Sequence, residues 1–277
     1  MEFINLDGVV RTETAGHSSK GNQLKWRLED VWYKADYMGY EGLAEVVVAN
    51  LLDRSSLAEH VHYEPVMIQY EGRQMRGCKS RNFLQPDEEL ITIDKLFRQF
   101  TGRNLTGELG RIPEVRDRII YTVENVIELT GLKDFGAYLT AALELDALFL
   151  NEDRHMNNIA VIYQKQDKKF HLCPYFDHGL SLFSDTKTDY TMDTDVFECW
   201  NRITAKPFSR DFDEQADCAE LLFGKQLKVW FEDGDISEEL EGFAGVYEPE
   251  ILRRVEEVLR QQKRKYGNLF CTRKIAR

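Results

Sequence analysis

Cysteine is scarce and scattered in this chain of 277 residues. Its five cysteines are odd in number and far apart, and no two of them have the C-x-x-C spacing of a zinc site or a redox pair. Such an arrangement indicates neither a disulfide framework nor a structural zinc site. We therefore expect ordinary reduced thiols at Cys78, Cys173, Cys199, Cys218 and Cys271.

Long apolar runs and targeting segments are also absent from the sequence. No apolar run approaches the roughly 20 residues that a membrane helix requires. Residues 1–6 contain no basic segment that leads into an apolar one. These absences predict a cytoplasmic protein without a membrane partner, and translocation as an effector is the alternative that they leave open.

Positive charge is in deficit, because 36 lysines and arginines stand against 48 aspartates and glutamates, a net charge of −12. This balance argues against a protein whose main role is to coat nucleic acid, so we expect no direct DNA binding. Residues 251–277 differ, with nine basic and two acidic side chains. They would form either a docking surface for an acidic partner or the solvated face of a terminal helix. The apolar stripe of Ile251, Val255, Val258 and Leu259 favours the helix.

The first part of the chain is rich in strand patterns. Residues 23–28 and 31–34 alternate polar and apolar side chains around the turn at 29–30, which predicts a half-buried hairpin. Residues 43–52, after Gly42, have a helical pattern, and residues 64–76 return to a strand pattern.

Helical patterns dominate the rest of the chain, at 93–99, 114–129 and 135–149 and several times between 192 and 265. Two short strands, 159–163 and 170–172, interrupt them, joined by a charged turn. We predict an α+β fold with two lobes that share a cleft. A small antiparallel-sheet lobe with one helix, residues 1–84, would precede a larger, mostly helical lobe, residues 85–277. The junction is expected within 80–89, where Pro86, Asp87 and Glu88 break regular structure.

The most informative stretch is a polar loop that contains Asp153 and ends with Asn158 at the start of a strand. The returning strand leads to Asp177, which is followed by Gly179. A carboxylate that accepts a hydroxyl proton, with an amide and a second carboxylate that hold Mg²⁺, is what phosphoryl transfer from ATP requires. Gly179 is expected to allow a sharp turn. This pattern predicts a kinase-type site.

The Asp-x4-Asn spacing alone is not specific, because Asp146 and Asn151 have it as well. That first copy begins within an apolar helical run, and no strand follows it directly. For the second copy, Asp153 and Asn158, the alternative to a catalytic role is a turn that caps a helix, and Asp177 would then be an ordinary loop carboxylate. The order of helix, loop, hairpin and Asp-x-Gly favours catalysis. Arg154 and His155 are expected to orient the loop or to contact phosphate.

Two upstream features are candidates for nucleotide binding. A segment of small residues before the first strand would offer backbone N–H groups and hydroxyls to phosphate oxygens, although such segments are commonly flexible turns. Its candidates are Ser18, Ser19, Lys20 and Gly21. Lys34 ends the second strand, and an ion pair with Glu45 in the following helix would hold it on the α- and β-phosphates. Glu41 is the alternative partner.

Together these motifs resemble those of the HipA-like serine/threonine kinases, a bacterial branch related in fold to protein kinases and phosphatidylinositol 3-kinases. Residues 153–158 (DRHMNN) resemble the D-R-H-x-x-N loop of the lipid-kinase side of that superfamily. Residues 172–177 (LCPYFD) resemble the L-A-P-x-Y-D approach to the metal aspartate. Residues 18–23 (SSKGNQ) resemble the serine-containing phosphate loop. The resemblance covers nearly the whole chain.

The resemblance implies a role for each of these residues. Asp153 would be the catalytic base, with Arg154 and His155 beside it, and Asn158 and Asp177 would hold Mg²⁺, with Mn²⁺ as an alternative. Lys34 would bind the ATP phosphates. The adenine hinge would lie near Arg81, Asn82 and Phe83.

The resemblance also implies a biological setting. Protein serine or threonine side chains would be the substrates, and the protein would be a toxin or effector controlled by an antitoxin or another regulatory protein. Autophosphorylation at Ser18 and Ser19 would switch it off. Two features depart from the family: His178 stands where many kinases have the phenylalanine of D-F-G, and the chain resembles the short, kinase-core-only type. The alternatives are a non-catalytic kinase-like nucleotide- or partner-binding module and an enzyme that phosphorylates a lipid or transfers AMP.

Overall fold

The computed structural model describes residues 1–12, 23–57 and 59–272. A five-stranded sheet forms its N-terminal part, in the order β1-β4-β5-β3-β2. The strands are β1 (Glu2–Asn5), β2 (Lys25–Leu28), β3 (Val31–Ala35), β4 (Glu64–Tyr70) and β5 (Arg73–Arg81). The predicted hairpin of β2 and β3 is confirmed.

Two features of this sheet differ from the prediction. The strand predicted over 64–76 is a hairpin of β4 and β5, because Glu71 and Gly72, with φ of 50° and 74°, form a tight turn between them. Strand β1 was not predicted, and it pairs with β4 in parallel, whereas the other neighbours in the sheet are antiparallel.

Helix α1 (Glu41–Leu52) packs against β5 and begins two residues before the predicted start. Nearly all of its residues are buried, because the sheet covers one side of the helix and the helical part covers the other. Its position between the two parts brings its polar side chains close to the cleft.

A second, three-stranded antiparallel sheet consists of β6 (Glu88–Thr92), β7 (Ala160–Gln164) and β8 (Lys169–Leu172). The predicted hairpin of β7 and β8 is confirmed. Strand β6 was not predicted, since residues 80–89 were expected to be irregular. In the structure β5 continues to Arg81 and β6 begins at Glu88, so only 82–87 are irregular. The predicted lobe boundary at residue 84 falls in that stretch.

The C-terminal part is mostly helical, as predicted. Its helices are α2 (Ile93–Thr101), α3 (Leu105–Leu109), α4 (Val115–Thr130), α5 (Phe135–Phe149), α6 (Val196–Arg202), α7 (Phe212–Phe223), α8 (Asp233–Glu241) and α9 (Pro249–Lys265). Helix α5 has the predicted bounds and packs against α4, α7 and α9. Leu150, with φ of 57°, ends α5 and directs the chain into the polar loop. The fold is therefore a small sheet-rich lobe joined to a larger helical lobe.

Helix α9, with which the basic C-terminal segment begins, lies on the core as the helix interpretation predicted. The apolar stripe of α9 is buried, and it includes Val255 and Val258. On its outer face Arg260 and Lys263 pair with Asp233 of α8, so part of the local positive charge is balanced within the chain. Within the described ranges no helix is both long and apolar enough to cross a membrane.

Candidate active site

A cavity of about 400 Å³ lies at the cleft between the two lobes. Strands β2, β3 and β5 contribute one wall, and the loops that follow α5 and β8 contribute the opposite one. Asp153, Asn158 and Asp177 all line this cavity. The structure thus brings together the three residues for which the sequence predicted a shared pocket.

The loop after α5 holds Asn158 against Asp153. The amide nitrogen Nδ2 of Asn158 donates a hydrogen bond to the Asp153 backbone carbonyl, at 2.9 Å. This bond directs the amide oxygen Oδ1 away from the loop backbone, and oxygen is the ligand atom that Mg²⁺ prefers. His155 also lines the cavity, and its ring accepts a hydrogen bond from the Asn157 backbone N–H at 3.2 Å.

Arg154 was predicted among the catalytic residues, and the structure corrects that assignment. Its side chain is buried, and Nε and Nη2 both donate to the carboxylate of Asp146, at 2.9 to 3.1 Å. Nη1 donates to the backbone carbonyls of Asn158 and Phe176, at 3.0 and 2.8 Å. Arg154 therefore orients the loop from the protein interior, and loop orientation is one of the two roles that the sequence predicted for it.

The first Asp-x4-Asn copy has a structural purpose. Asn151 donates to Oδ1 of Asp146 at 2.9 Å, so the same buried carboxylate holds both Asn151 and Arg154. Because Arg154 in turn binds the carbonyl before Asp177, Asp146 anchors both loops of the site. The sequence contained this signal as the first copy of the motif.

On the sheet side Lys34 forms an ion pair with Glu45 and another with Asp177, whose Oδ1 lies 2.7 Å from Nζ. The other Glu45 oxygen accepts the backbone N–H of His178 at 2.8 Å. Glu41, the alternative partner, instead accepts backbone N–H groups of the preceding loop, residues 37–39. The preference for Glu45 is confirmed.

Opposite charges control the protonation of this cluster. Burial alone would lower the pKa of Lys34, but Asp177 and Glu45 raise it well above its usual range. Burial would raise the pKa of Asp177, yet the charges of Lys25 and Lys34 hold it well below its usual range. Lys34 is therefore cationic and Asp177 anionic at neutral pH. Burial also raises the pKa of Glu45, against the charge of Lys34.

The sharp turn predicted at Gly179 occurs at Asp177, which has a left-handed φ of 62°. Aspartate tolerates this conformation better than most residues, and strained backbone of this kind is common at functional sites. Gly179 lies against α1, where an added Cβ would be in ordinary van der Waals contact, 3.4 Å from Glu41 Cβ and from Glu45 Oε1.

Two lysines of the site were not predicted. Lys25 lies directly opposite Lys34 in the β2–β3 register, and its Nζ is 3.7 Å from Asp177 Oδ1. The two-residue turn of the predicted hairpin sets that register, so the sequence did contain a signal for Lys25. Lys206 Nζ lies 2.9 Å from Asp153 Oδ1 and comes from a distant loop that no local pattern relates to Asp153.

The predicted hinge residues Arg81, Asn82 and Phe83 line the far end of the cavity. Phe83 and Phe176 face each other there, with ring centroids 6.1 Å apart. Leu84 and Leu90 also line the cavity and pack against the same apolar cluster as these two rings, so this part of the lining is apolar apart from Arg81 and Asn82. The predicted phosphate-loop residues Ser18, Ser19, Lys20 and Gly21 lie outside the described residues.

The comparisons with known proteins concern the fold. No protein-family model matches the sequence, and no curated protein matches it. A solved structure, described as the crystal structure of a Helicobacter pylori proinflammatory kinase CtkA, is similar at a TM-score of 0.63 and 16% identity, over 95% of each chain. At that identity the similarity extends to the whole kinase-like fold and no further.

Proposed function

We propose that this protein is an ATP- and magnesium-dependent protein kinase that phosphorylates serine or threonine and is of the HipA-like type. The observation that carries the proposal is the single cavity lined by Asp153, Asn158 and Asp177. The ion pair of Lys34 with Glu45 at its opposite wall supports the same assignment.

The oxygen atoms of Asp177 and Asn158 suit Mg²⁺, the cation that accompanies ATP. Asp177 offers carboxylate oxygens, and Asn158 offers an amide oxygen, because its nitrogen is occupied by the Asp153 carbonyl. Bound Mg²⁺ would supply charge neutralisation at the phosphates. The Lys34 and Lys25 side chains add two positive charges on the same side of the cavity, where the anionic phosphates would lie. The apolar end near Phe83 suits the adenine ring.

Asp153 is the proposed catalytic base. Its carboxylate would accept the proton of the acceptor hydroxyl as that oxygen attacks the γ-phosphorus of ATP, and the bond from the γ-phosphorus to the β,γ-bridging oxygen would break to release ADP. The loop that contains it is held in place by Arg154 and Asp146, so the carboxylate does not need to reorganise on binding. Lys206 holds the same carboxylate from the opposite side.

The acceptor and the biological setting belong to the same proposal and follow from the HipA-like motifs. Protein serine or threonine hydroxyls are the acceptors, and the protein acts as a toxin or effector with an antitoxin or regulatory protein as its partner. Autophosphorylation of Ser18 and Ser19 would add about −1.5 to −2 charges each to the phosphate loop. This charge would repel ATP and reduce activity.

The test is transfer of label from ATP by the purified protein. With Mg²⁺, label from the γ-phosphate should appear on the protein itself or on a generic basic protein substrate, and label from the α-phosphate should not. Asp153→Asn should abolish transfer, whereas Asp167→Asn, in the exposed β7–β8 turn, should leave it unchanged.

Two results would contradict the proposal. Transfer from the α-phosphate would indicate AMP transfer. No transfer with Mg²⁺ or Mn²⁺, together with magnesium-dependent thermal stabilisation by ATP analogues, would indicate the non-catalytic nucleotide-binding module.

A further inference from the structure

Outside the cavity, three potential metal ligands converge at the end of α1. Asp53 caps the C-terminus of that helix, and His60 and His62 follow in the segment that leads to β4. One ligand atom from each of the three lies within 4.8 Å of the other two. None of the three lines the active-site cavity.

The separations match those between ligands of one metal ion. Asp53 Oδ1 lies 3.2 Å from His60 Nε2 and 3.6 Å from His62 Nδ1. Ligands of a tetrahedral zinc ion at about 2.1 Å stand roughly 3.4 Å from one another. The two imidazole rings lie side by side, with centroids 4.6 Å apart. The three ligand atoms lie within 4.8 Å of one another, and the exposed His62 side chain has room to turn towards a shared cation.

His60 provides a second observation. Its side chain is only 7% exposed, yet Nε2 makes no hydrogen bond to any residue that the structure describes. His60 Nε2 lies 3.2 Å from Asp53 Oδ1 but lacks the geometry of a hydrogen bond to it. Two atoms that bind the same cation are expected to have this arrangement.

The charges at this place favour a cation. Asp53 lies at the C-terminal end of α1, where the helix dipole is negative, and the last turn of α1 has no basic residue. The adjacent Arg54 pairs instead with Asp235 of α8, at 3.1 Å. A bound cation would therefore balance both the Asp53 carboxylate and the end of the helix.

We propose that Asp53, His60 and His62 form a binding site for one zinc-type divalent cation. Two imidazoles and one carboxylate suit zinc and similar borderline cations, whereas Mg²⁺ prefers oxygen ligands alone. Water would complete the coordination on the exposed side.

The site would fasten α1 to the segment that approaches Asp177. The segment with His60 pairs with Tyr175, through the Val61 N–H to the Tyr175 carbonyl at 2.9 Å. Further along, the Tyr63 hydroxyl accepts the Asp177 N–H at 3.3 Å. Since α1 contains Glu45, the cation would lie between the two elements that position Lys34 and Asp177. The proposal concerns metal binding and does not depend on the activity proposed above.

The test uses the full-length protein without nucleotide or Mg²⁺. Zinc binding is measured by competition with a chromophoric chelator, and the bound metal is counted by elemental analysis after desalting. We expect one zinc per chain and a rise in melting temperature of about 5 °C at zinc concentrations near 100 times Kd. Co²⁺ in the same place should show ligand-field bands typical of histidine and carboxylate coordination.

The variants for this test avoid the buried histidine, whose replacement alone could unfold the protein. His62→Gln and Asp53→Asn, both at exposed side chains, should each lower zinc affinity at least 10-fold and remove the Co²⁺ bands. His171→Gln, at an exposed histidine of β8, is the matched control and should bind like the wild type. Equal zinc binding by wild type and His62→Gln, or no zinc bound by the wild type, would overturn the proposal.

Discussion

The Arg154 side chain holds the two loops of the candidate active site in place. It is buried, binds Asp146 with two nitrogen atoms and binds the carbonyl groups of two loops with a third. A buried ion pair is costly to break on one side, because the remaining charge is left without a partner.

We therefore expect Arg154→Ala to lower the free energy of unfolding by about 3–5 kcal/mol. Urea denaturation measures this loss. Arg202→Ala, in an exposed pair with Glu198, should change it by no more than about 0.5 kcal/mol. The double variant Arg154→Ala with Asp146→Ala should recover part of the loss, because it removes the buried charge. A loss for Arg154→Ala as small as that for Arg202→Ala would contradict this account.

Lys206 acts on the same loop from the solvent side, through the Asp153 carboxylate. If the protein is a kinase, Lys206→Met should lower kcat about 10- to 100-fold by loosening the position of Asp153, with little change in the KM for ATP. Stability should change by less than about 1 kcal/mol, because the pair is partly exposed. Steady-state kinetics and urea denaturation measure the two effects. Lys206→Arg should restore much of kcat, and unchanged kcat in Lys206→Met would contradict a positioning role.

At the scale of single elements, α9 does more than cover the core. Arg254 on its buried face donates to four backbone carbonyls of the loop before α6, those of Tyr190, Thr191, Met192 and Thr194, at 2.7 to 3.1 Å. One side chain of α9 thus determines the shape of a loop in another part of the lobe.

Replacement of this side chain should have a local and a global effect. Arg254→Ala leaves the buried carbonyl of Tyr190 and three part-buried carbonyls without this donor, and should cost about 2–4 kcal/mol in the free energy of unfolding. Hydrogen exchange of the amides at 190–194 should also become faster. The neighbouring Arg253, which is exposed and pairs with Glu250, gives the matched control Arg253→Ala. Equal effects of the two substitutions would show that the carbonyl contacts do not matter.

At the scale of the whole molecule, Asp36 connects the two lobes. One of its oxygens accepts the backbone N–H of Gly42 at 2.6 Å, and the other accepts the hydroxyl of Tyr247 from the helical lobe at 2.8 Å. Burial, with a smaller contribution from the charge of Glu41, raises the pKa of Asp36 to about 7. This contact should make stability depend on pH.

The sign of this pH dependence follows from proton binding by Asp36. The pKa of Asp36 is higher in the folded protein than in the unfolded chain, where it is about 3.9, so the folded state holds an extra proton between these values. The contribution of protonated Asp36 to the free energy of unfolding is therefore lost as the pH rises through 7. Asp36→Asn, which cannot ionise, should gain about 2–4 kcal/mol relative to the wild type between pH 5 and pH 8. Urea denaturation across this range measures the gain.

An exposed aspartate provides the comparison for this pH effect. Asp30→Asn, in the turn of the β2–β3 hairpin, should follow the wild type at every pH, because the Asp30 side chain is mostly in solvent. If Asp36→Asn and the wild type keep a constant difference in stability from pH 5 to pH 8, Asp36 does not titrate in this range.

Local patterns predicted those parts of the structure that depend on neighbouring residues. The two-residue turn at 29–30 determined the β2–β3 hairpin, and the apolar run of 135–149 determined α5. The polar loop with Asp153 was located by its place between a helix and a strand. Strands β1 and β6 were missed, because each is short and becomes a strand only by pairing with a distant partner.

The sequence by itself determined which groups are available for chemistry, because Asp153, Asn158 and Asp177 stand at fixed places around a hairpin whose register the chain encodes locally. The tertiary structure decided what each group contacts. It selected Glu45 over Glu41 for Lys34, gave Arg154 a buried partner and placed Lys206 on Asp153. The physical reason is that these choices depend on distance and burial between residues far apart in the chain, which hydrophobic periodicity and motif spacing do not encode.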